Sequence, residues 1–99
     1  MGDQTDDGTT LDPVAAVILA ELDARGPGAS MTPDEAARAV AETKRKPKDG
    51  RDLYKRYRQA VKQQAIHLAR TGAIEIVRKG EVADPNDFKG LWSMRRARG

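Results

Sequence analysis

Cysteine is absent from the 99-residue sequence, which excludes disulfides, thiolate metal ligands and a cysteine nucleophile. Only four residues are aromatic, and with 38% hydrophobic residues the chain can bury only a modest core. The longest apolar run, Val14 to Ala20, is too short to span a bilayer. The first residues also lack the cationic and apolar segments of a signal peptide. These absences predict one small cytoplasmic domain that does not enter a membrane.

Charge is distributed unevenly along the chain. Residues 1–43 carry two basic and nine acidic side chains, whereas residues 44–99 carry sixteen basic and six acidic ones. The net charge of +3 therefore conceals an acidic first half and a strongly basic second half. Such a division indicates a polyanionic partner for the second half. The alternative is a solvated surface on which acidic and basic segments neutralise each other.

Two helix starts are readable in the first half, after a polar, Asp-containing segment (residues 1–11) that we expect to be a disordered acidic tail. Asp12-Pro13 predicts a helix that runs to about Arg25, because Asp caps free N–H groups and Pro suits the first helical position. Thr32-Pro33-Asp34-Glu35 predicts a capping box and a second helix from Pro33 to about Glu42.

The third predicted helix is the longest and has two unlike faces. It extends from Gly50 to Gly72, and at 100° per residue its apolar side chains form one arc. Four cations fall on the opposite side: Arg51, Lys55, Arg58 and Lys62. A basic loop, Thr43 to Gly50, precedes the helix. This loop is either a phosphate-contacting element or a mobile, solvated one.

The C-terminal third predicts a hairpin. Ala73 to Arg78 alternates and is rich in β-branched residues, and Leu91 to Arg95 is its expected partner strand. Turn-forming residues lie between them, and Phe88 is expected to pack the hairpin against the body. Residues 96–99 form a predicted basic C-terminal tail.

These elements predict a mainly α protein with a small β-hairpin, of α+β class. Three helices followed by a two-stranded antiparallel wing is the order of a winged helix-turn-helix domain, which we place at residues 12–95.

A family resemblance is carried by three motifs. The run Ser30 to Val40, SMTPDEAARAV, resembles the T-I-C-P-S-E-V-A-R-A-L segment of a small bacterial domain family of unknown function, commonly described as winged-helix. The segments IEIVRKG (residues 74–80) and DPNDFKG (residues 84–90) resemble its I-E-I-L-R-K-G and D-P-x-D-F-K-G motifs. The resemblance implies a fold but lends no functional residues, and the basic loop before the third helix looks like an insertion.

Double-stranded DNA is the partner that the charge pattern favours. A basic third helix and wing would contact phosphates, and arginine can also read guanine. The predicted contacts are Lys44, Arg45, Lys46, Lys48, Arg51, Lys55, Arg58, Lys62, Arg78, Lys79 and Lys89. The alternative is a protein-interaction or dimerisation module that meets an acidic partner or the acidic half of a second copy. RNA or another polyanion is a third possibility.

An enzyme is not expected, because no nucleophile, base and orienting group are readable together. Asp84, Asn86 and Asp87 lack the spacing of a calcium loop, so we interpret them as a turn. We predict no metal, cofactor, small-molecule ligand or membrane contact.

Overall fold

The computed structural model describes residues 12–97, which form both helices and strands. The elements in chain order are α1 (Pro13–Arg25), β1 (Ser30–Met31), α2 (Pro33–Lys44), a 3₁₀ helix (Arg51–Tyr57), α3 (Arg58–Arg70), β2 (Ile74–Arg78), β3 (Glu81–Ala83) and β4 (Ser93–Arg96). The predicted α+β class is confirmed.

Local hydrogen bonds fix the starts of α1 and α2 as predicted. The Asp12 side chain accepts the Val14 N–H at 2.7 Å, with Pro13 at the first helical position. Thr32 Oγ1 accepts the Glu35 N–H at 3.1 Å, and Glu35 Oε1 accepts the Thr32 N–H at 2.8 Å, which completes the capping box. Helix α2 continues to Lys44, two residues beyond the expected end.

The third helix is not a single α-helix, so that prediction is wrong. Arg51–Tyr57 winds as a 3₁₀ helix and only Arg58–Arg70 is α-helical. A 3₁₀ helix has three residues per turn, so side chains three apart eclipse each other. Leu53 and Tyr54 are consecutive and both buried in the core, next to α2, and this tertiary packing overrides the α-helical pattern.

The sheet has four antiparallel strands in the order β1-β4-β2-β3, so the prediction of two strands is wrong. Strand β3 lies within the segment predicted to be an irregular tip. Its turn from β2 is tight, because Lys79 and Gly80 both have positive φ (52° and 83°), as in a type I′ turn. Strand β1 adds the other edge, where Met31 pairs with Met94.

Strand β4 is central and begins two residues later than predicted. It pairs with both β1 and β2, and Met94 is opposite Met31 on one side and Ile76 on the other. The strand includes Arg96, which the sequence pattern assigned to the basic tail and which forms an ion pair with Asp23 at 3.1 Å. The tail predicted at residues 1–11, and the last two residues of the tail predicted at 96–99, lie outside the described residues.

The core lies between the helices and one face of the sheet. Its largest fully buried side chains come from the three α-helices and from strands β1, β2 and β4. They are Ile18, Leu22, Met31, Val40, Val61, Ile74, Ile76 and Met94. Trp92 packs against this core, and Phe88 meets Trp92 edge to face with 5.3 Å between ring centroids. No helix within residues 12–97 is long and apolar enough to cross a membrane.

Candidate nucleic-acid interface

Positive charge is concentrated on the segment that joins α2 to α3. Residues 44–62 contain nine basic and two acidic side chains, a net charge of +7. All nine basic residues are exposed. Eight of the eleven predicted contacts lie in this segment, which we call the basic segment. The other three lie in the hairpin.

The loop at the start of the basic segment is held by its own hydrogen bonds. Arg45 binds Glu42 at 2.9 Å and donates to the Gly50 carbonyl at 3.1 Å. The Asp49 side chain accepts the Lys46 N–H at 2.7 Å, and the Asp49 N–H donates to the Lys46 carbonyl at 2.9 Å. Arg45 therefore closes the loop, while the side chains of Lys46 and its neighbours Lys44 and Lys48 are exposed to solvent.

The predicted cationic stripe is exposed but is not uniform. Lys55 lies 3.7 Å from Asp52, three residues earlier, as the eclipsed geometry of a 3₁₀ helix allows. Lys62 lies over the Phe88 ring, with Nζ 5.6 Å from the centroid. Arg51 has no ion pair with any carboxylate in the described part of the chain.

Arg58 is the cation of the stripe with the closest partner. It forms two hydrogen bonds to Asp34 of α2, at 3.0 and 3.1 Å. These bonds to the carboxylate raise the pKa of Arg58 above its ordinary value. Its guanidinium also lies 5.2 Å from the centroid of the Tyr54 ring, whose other close cation is Arg38 at 3.9 Å.

The hairpin cations are interspersed with acids. Arg78 and Lys79 precede, and Lys89 follows, three carboxylates (Glu81, Asp84 and Asp87), so the net charge of residues 78–89 is zero. Arg78 Nε donates to the Leu91 carbonyl at 3.1 Å, so this arginine holds the hairpin together. Lys79 and Lys89 are exposed. The hairpin adds less positive charge to the surface than the sequence pattern predicts.

One protein family matches nearly the whole chain. Its description is "Protein of unknown function (DUF3253)", and the match covers residues 11–97. The chain belongs to this family. Comparison with curated proteins finds no match. The predicted membership of a domain family of unknown function is confirmed, and the family description assigns no activity to the DUF3253 domain.

Two cations of the DUF3253 domain were missed by the sequence analysis. Arg56 is exposed in the 3₁₀ helix, but an α-helical projection places it away from the stripe. The run of consecutive basic residues Lys55-Arg56 was the available signal. Arg38 lies in the acidic half of the chain, and its stacking on Tyr54 has no local sequence signature.

The described part of the DUF3253 domain contains no cluster of side chains suited to binding a metal ion. Nowhere in residues 12–97 do three His, Asp or Glu side chains come together in a way that would hold a metal ion. At the acidic turn, Asp84 Oδ1 accepts the Asn86 N–H at 2.9 Å, and the Asp87 N–H donates to the Asp84 carbonyl at 3.0 Å. These bonds are those of a turn closed by an Asp side chain.

Proposed function

We propose that this DUF3253 protein is a winged-helix protein that binds double-stranded DNA through its basic segment. The observation that carries the proposal is the net charge of +7 on residues 44–62, with all nine basic side chains exposed. Basic residues clustered on one surface element are the electrostatic signature of nucleic-acid binding. The bacterial origin and cytoplasmic location expected from the sequence belong to this proposal.

The order of the elements supports a winged-helix arrangement. Three helices are followed by three strands, of which β2 and β4, the two central strands of the sheet, pair directly with each other. The short β1, between α1 and α2, pairs with β4 and joins this hairpin to the helices. In such an arrangement the third helix lies in or along the major groove and the wing meets the adjoining backbone.

Most contacts in this proposal are with phosphates. Lysines of the loop and 3₁₀ helix neutralise the backbone without reading sequence. Arg51 is the better candidate for a guanine, because its guanidinium is exposed and has no carboxylate partner within residues 12–97. Arg58 reaches DNA only if its bonds to Asp34 open.

Titration of a fluorescent duplex at 50 and 200 mM salt tests this proposal. If about five phosphates are neutralised, log affinity falls against log salt with a slope near −4.5. Arg51→Gln should weaken binding to a guanine-containing duplex by about 1–3 kcal/mol, because a bidentate contact to a base edge is lost. Arg70→Gln is the matched control, since Arg70 lies at the far end of α3 and binds Asn86. A flat salt response, or no binding at 50 mM salt, would overturn the proposal.

A second candidate function, protein interaction or self-association, is favoured by one observation. Leu91 is 93% exposed and lines an open cleft of about 440 Å³ with Pro33 and Trp92. A large apolar side chain beside such a cleft suits contact with a protein. Sedimentation equilibrium of the wild type and Leu91→Asp tests this candidate: a dimer that the substitution dissociates would support self-association, and a monomeric wild type would contradict it.

A further inference from the structure

Three charged residues lie along one face of α2, and the outer two form ion pairs whereas the middle one does not. Asp34, Arg38 and Glu42 are spaced four residues apart, so they follow one another on the same side of the helix. Asp34 is bound by Arg58 and Glu42 is bound by Arg45. Arg38 has a carboxylate one turn away in each direction, yet forms an ion pair with neither.

Arg38 lies instead on an aromatic ring. Its guanidinium carbon is 3.9 Å from the centroid of Tyr54, which is only 9% exposed and belongs to the core cluster. The contact uses the face of the ring, and the Arg38 side chain donates no hydrogen bond to any residue between 12 and 97. Its N–H donors are therefore available on a side chain that a fixed ring holds in place.

We propose that Arg38, seated on Tyr54, binds a backbone phosphate of the DNA, and that Arg58 serves as a positioning residue for the same ring. This inference rests on the proposed function. The sequence predicts a DNA contact at Arg58, which belongs to the cationic stripe, and none at Arg38. This inference assigns the contact to Arg38 instead. Asp34 accepts hydrogen bonds from Nε and Nη2 of Arg58, whereas the donors of Arg38 are free to bind an anion.

Phosphate is the ligand that this geometry suits. A guanidinium offers parallel N–H donors that match two phosphate oxygens, and a held guanidinium loses less conformational entropy on binding. Tyr54 belongs to the 3₁₀ helix, so Arg38 adjoins the basic segment and extends the positive surface onto α2. The surface then contacts DNA from two successive elements.

The test compares salt slopes of duplex binding for the wild type and four variants. Arg38→Gln should weaken binding at 0.1 M salt roughly five- to tenfold and reduce the slope by about 0.9. Arg38→Lys should keep the slope, because the positive charge is retained, but bind more weakly than the wild type. The double variant Asp34→Asn/Arg58→Gln removes a pair without changing net charge, and should keep the wild-type slope.

Arg70→Gln is the matched control, since it removes one positive charge outside the basic segment. Circular dichroism melting should show each variant folded before titration. A wild-type slope for Arg38→Gln, or a slope reduced equally by Arg70→Gln, would overturn this inference and leave the proposed function standing. No duplex binding by the wild type would overturn both.

Discussion

Arg58 and Asp34 form two parallel hydrogen bonds, Nε to Oδ1 at 3.0 Å and Nη2 to Oδ2 at 3.1 Å, although they are 24 residues apart. The bonds join the first turn of α3 to the first turn of α2. Both side chains are about half exposed, at 49% and 48%. Paired arginine and carboxylate forks fix geometry more than other ion pairs do. This contact therefore links α3 to α2 at the surface and cancels one positive charge of the basic segment.

The first prediction concerns release of this cancelled charge. Asp34→Asn should leave Arg58 free to meet a phosphate, so duplex affinity should rise several-fold and the salt slope should steepen by up to about 0.9. Folding stability should change little, because solvent-exposed ion pairs contribute little. Duplex titration and thermal melting measure the two effects. Weaker DNA binding by the variant would show that Asp34 serves the interface rather than opposing it.

The second prediction concerns the pH dependence of the capping box. The Thr32 N–H donates to the Glu35 carboxylate and lowers the pKa of Glu35 below its ordinary value of 4.5. Glu35 therefore contributes stability above pH 4.5, and this contribution is lost as pH falls through the lowered pKa of the folded state. Glu35→Gln keeps an oxygen acceptor but loses the charge.

Thermal melting of the wild type and Glu35→Gln between pH 7 and pH 3 measures this contribution. The wild type should melt at the higher temperature near neutral pH, and the difference should shrink as the pH falls. The other acids titrate in both proteins, so the difference isolates Glu35. A difference that stays constant with pH would contradict the prediction.

The third prediction concerns the centre of the sheet. Met94 is fully buried and is opposite both Met31 and Ile76. Met94→Ala should reduce the free energy of unfolding by about 2–5 kcal/mol, because a cavity opens between two strands and the helices. Leu91→Ala is the control: Leu91 is 93% exposed, and its loss should cost less than about 0.5 kcal/mol. Urea denaturation of both variants measures the contrast, and equal losses would contradict the burial of Met94 at the centre of the sheet.

Local signals explain why the helix starts and the buried face of the third helix could be predicted. Asp12, Thr32 and Glu35 form hydrogen bonds to residues at most three positions away. The local sequence is therefore sufficient to predict these bonds. Most of the apolar side chains predicted to share a face, including Val61 and Leu68, are buried, and the other two, Tyr57 and Ala60, are half-buried against the core. Periodicity was sufficient there because one face of the helix meets the core.

Distant contacts explain what could not be predicted. Strand β1 has two residues, and only its pairing with β4, more than sixty residues later, makes it a strand. The 3₁₀ winding depends on how Leu53 and Tyr54 pack against α2. At the candidate interface, counting charges located the basic segment, but the pairing of Arg58 with Asp34 is not visible along the chain.

The last prediction separates the conformational and electrostatic roles of Lys79. This residue has φ +52°, in the left-handed region that costs a side chain such as lysine roughly 1–2 kcal/mol and that Asn tolerates better. Lys79→Asn should therefore raise the free energy of unfolding by about 0.5–1 kcal/mol. If Lys79 contacts a phosphate, the same substitution should also reduce the salt slope of duplex binding by about 0.9. Lys89→Asn is the matched control, because Lys89 is an exposed cation of the same hairpin outside the left-handed region. Lys89→Asn should reduce the magnitude of the salt slope without raising the free energy of unfolding. Equal stabilities for the two variants in urea denaturation would show that the turn does not strain Lys79.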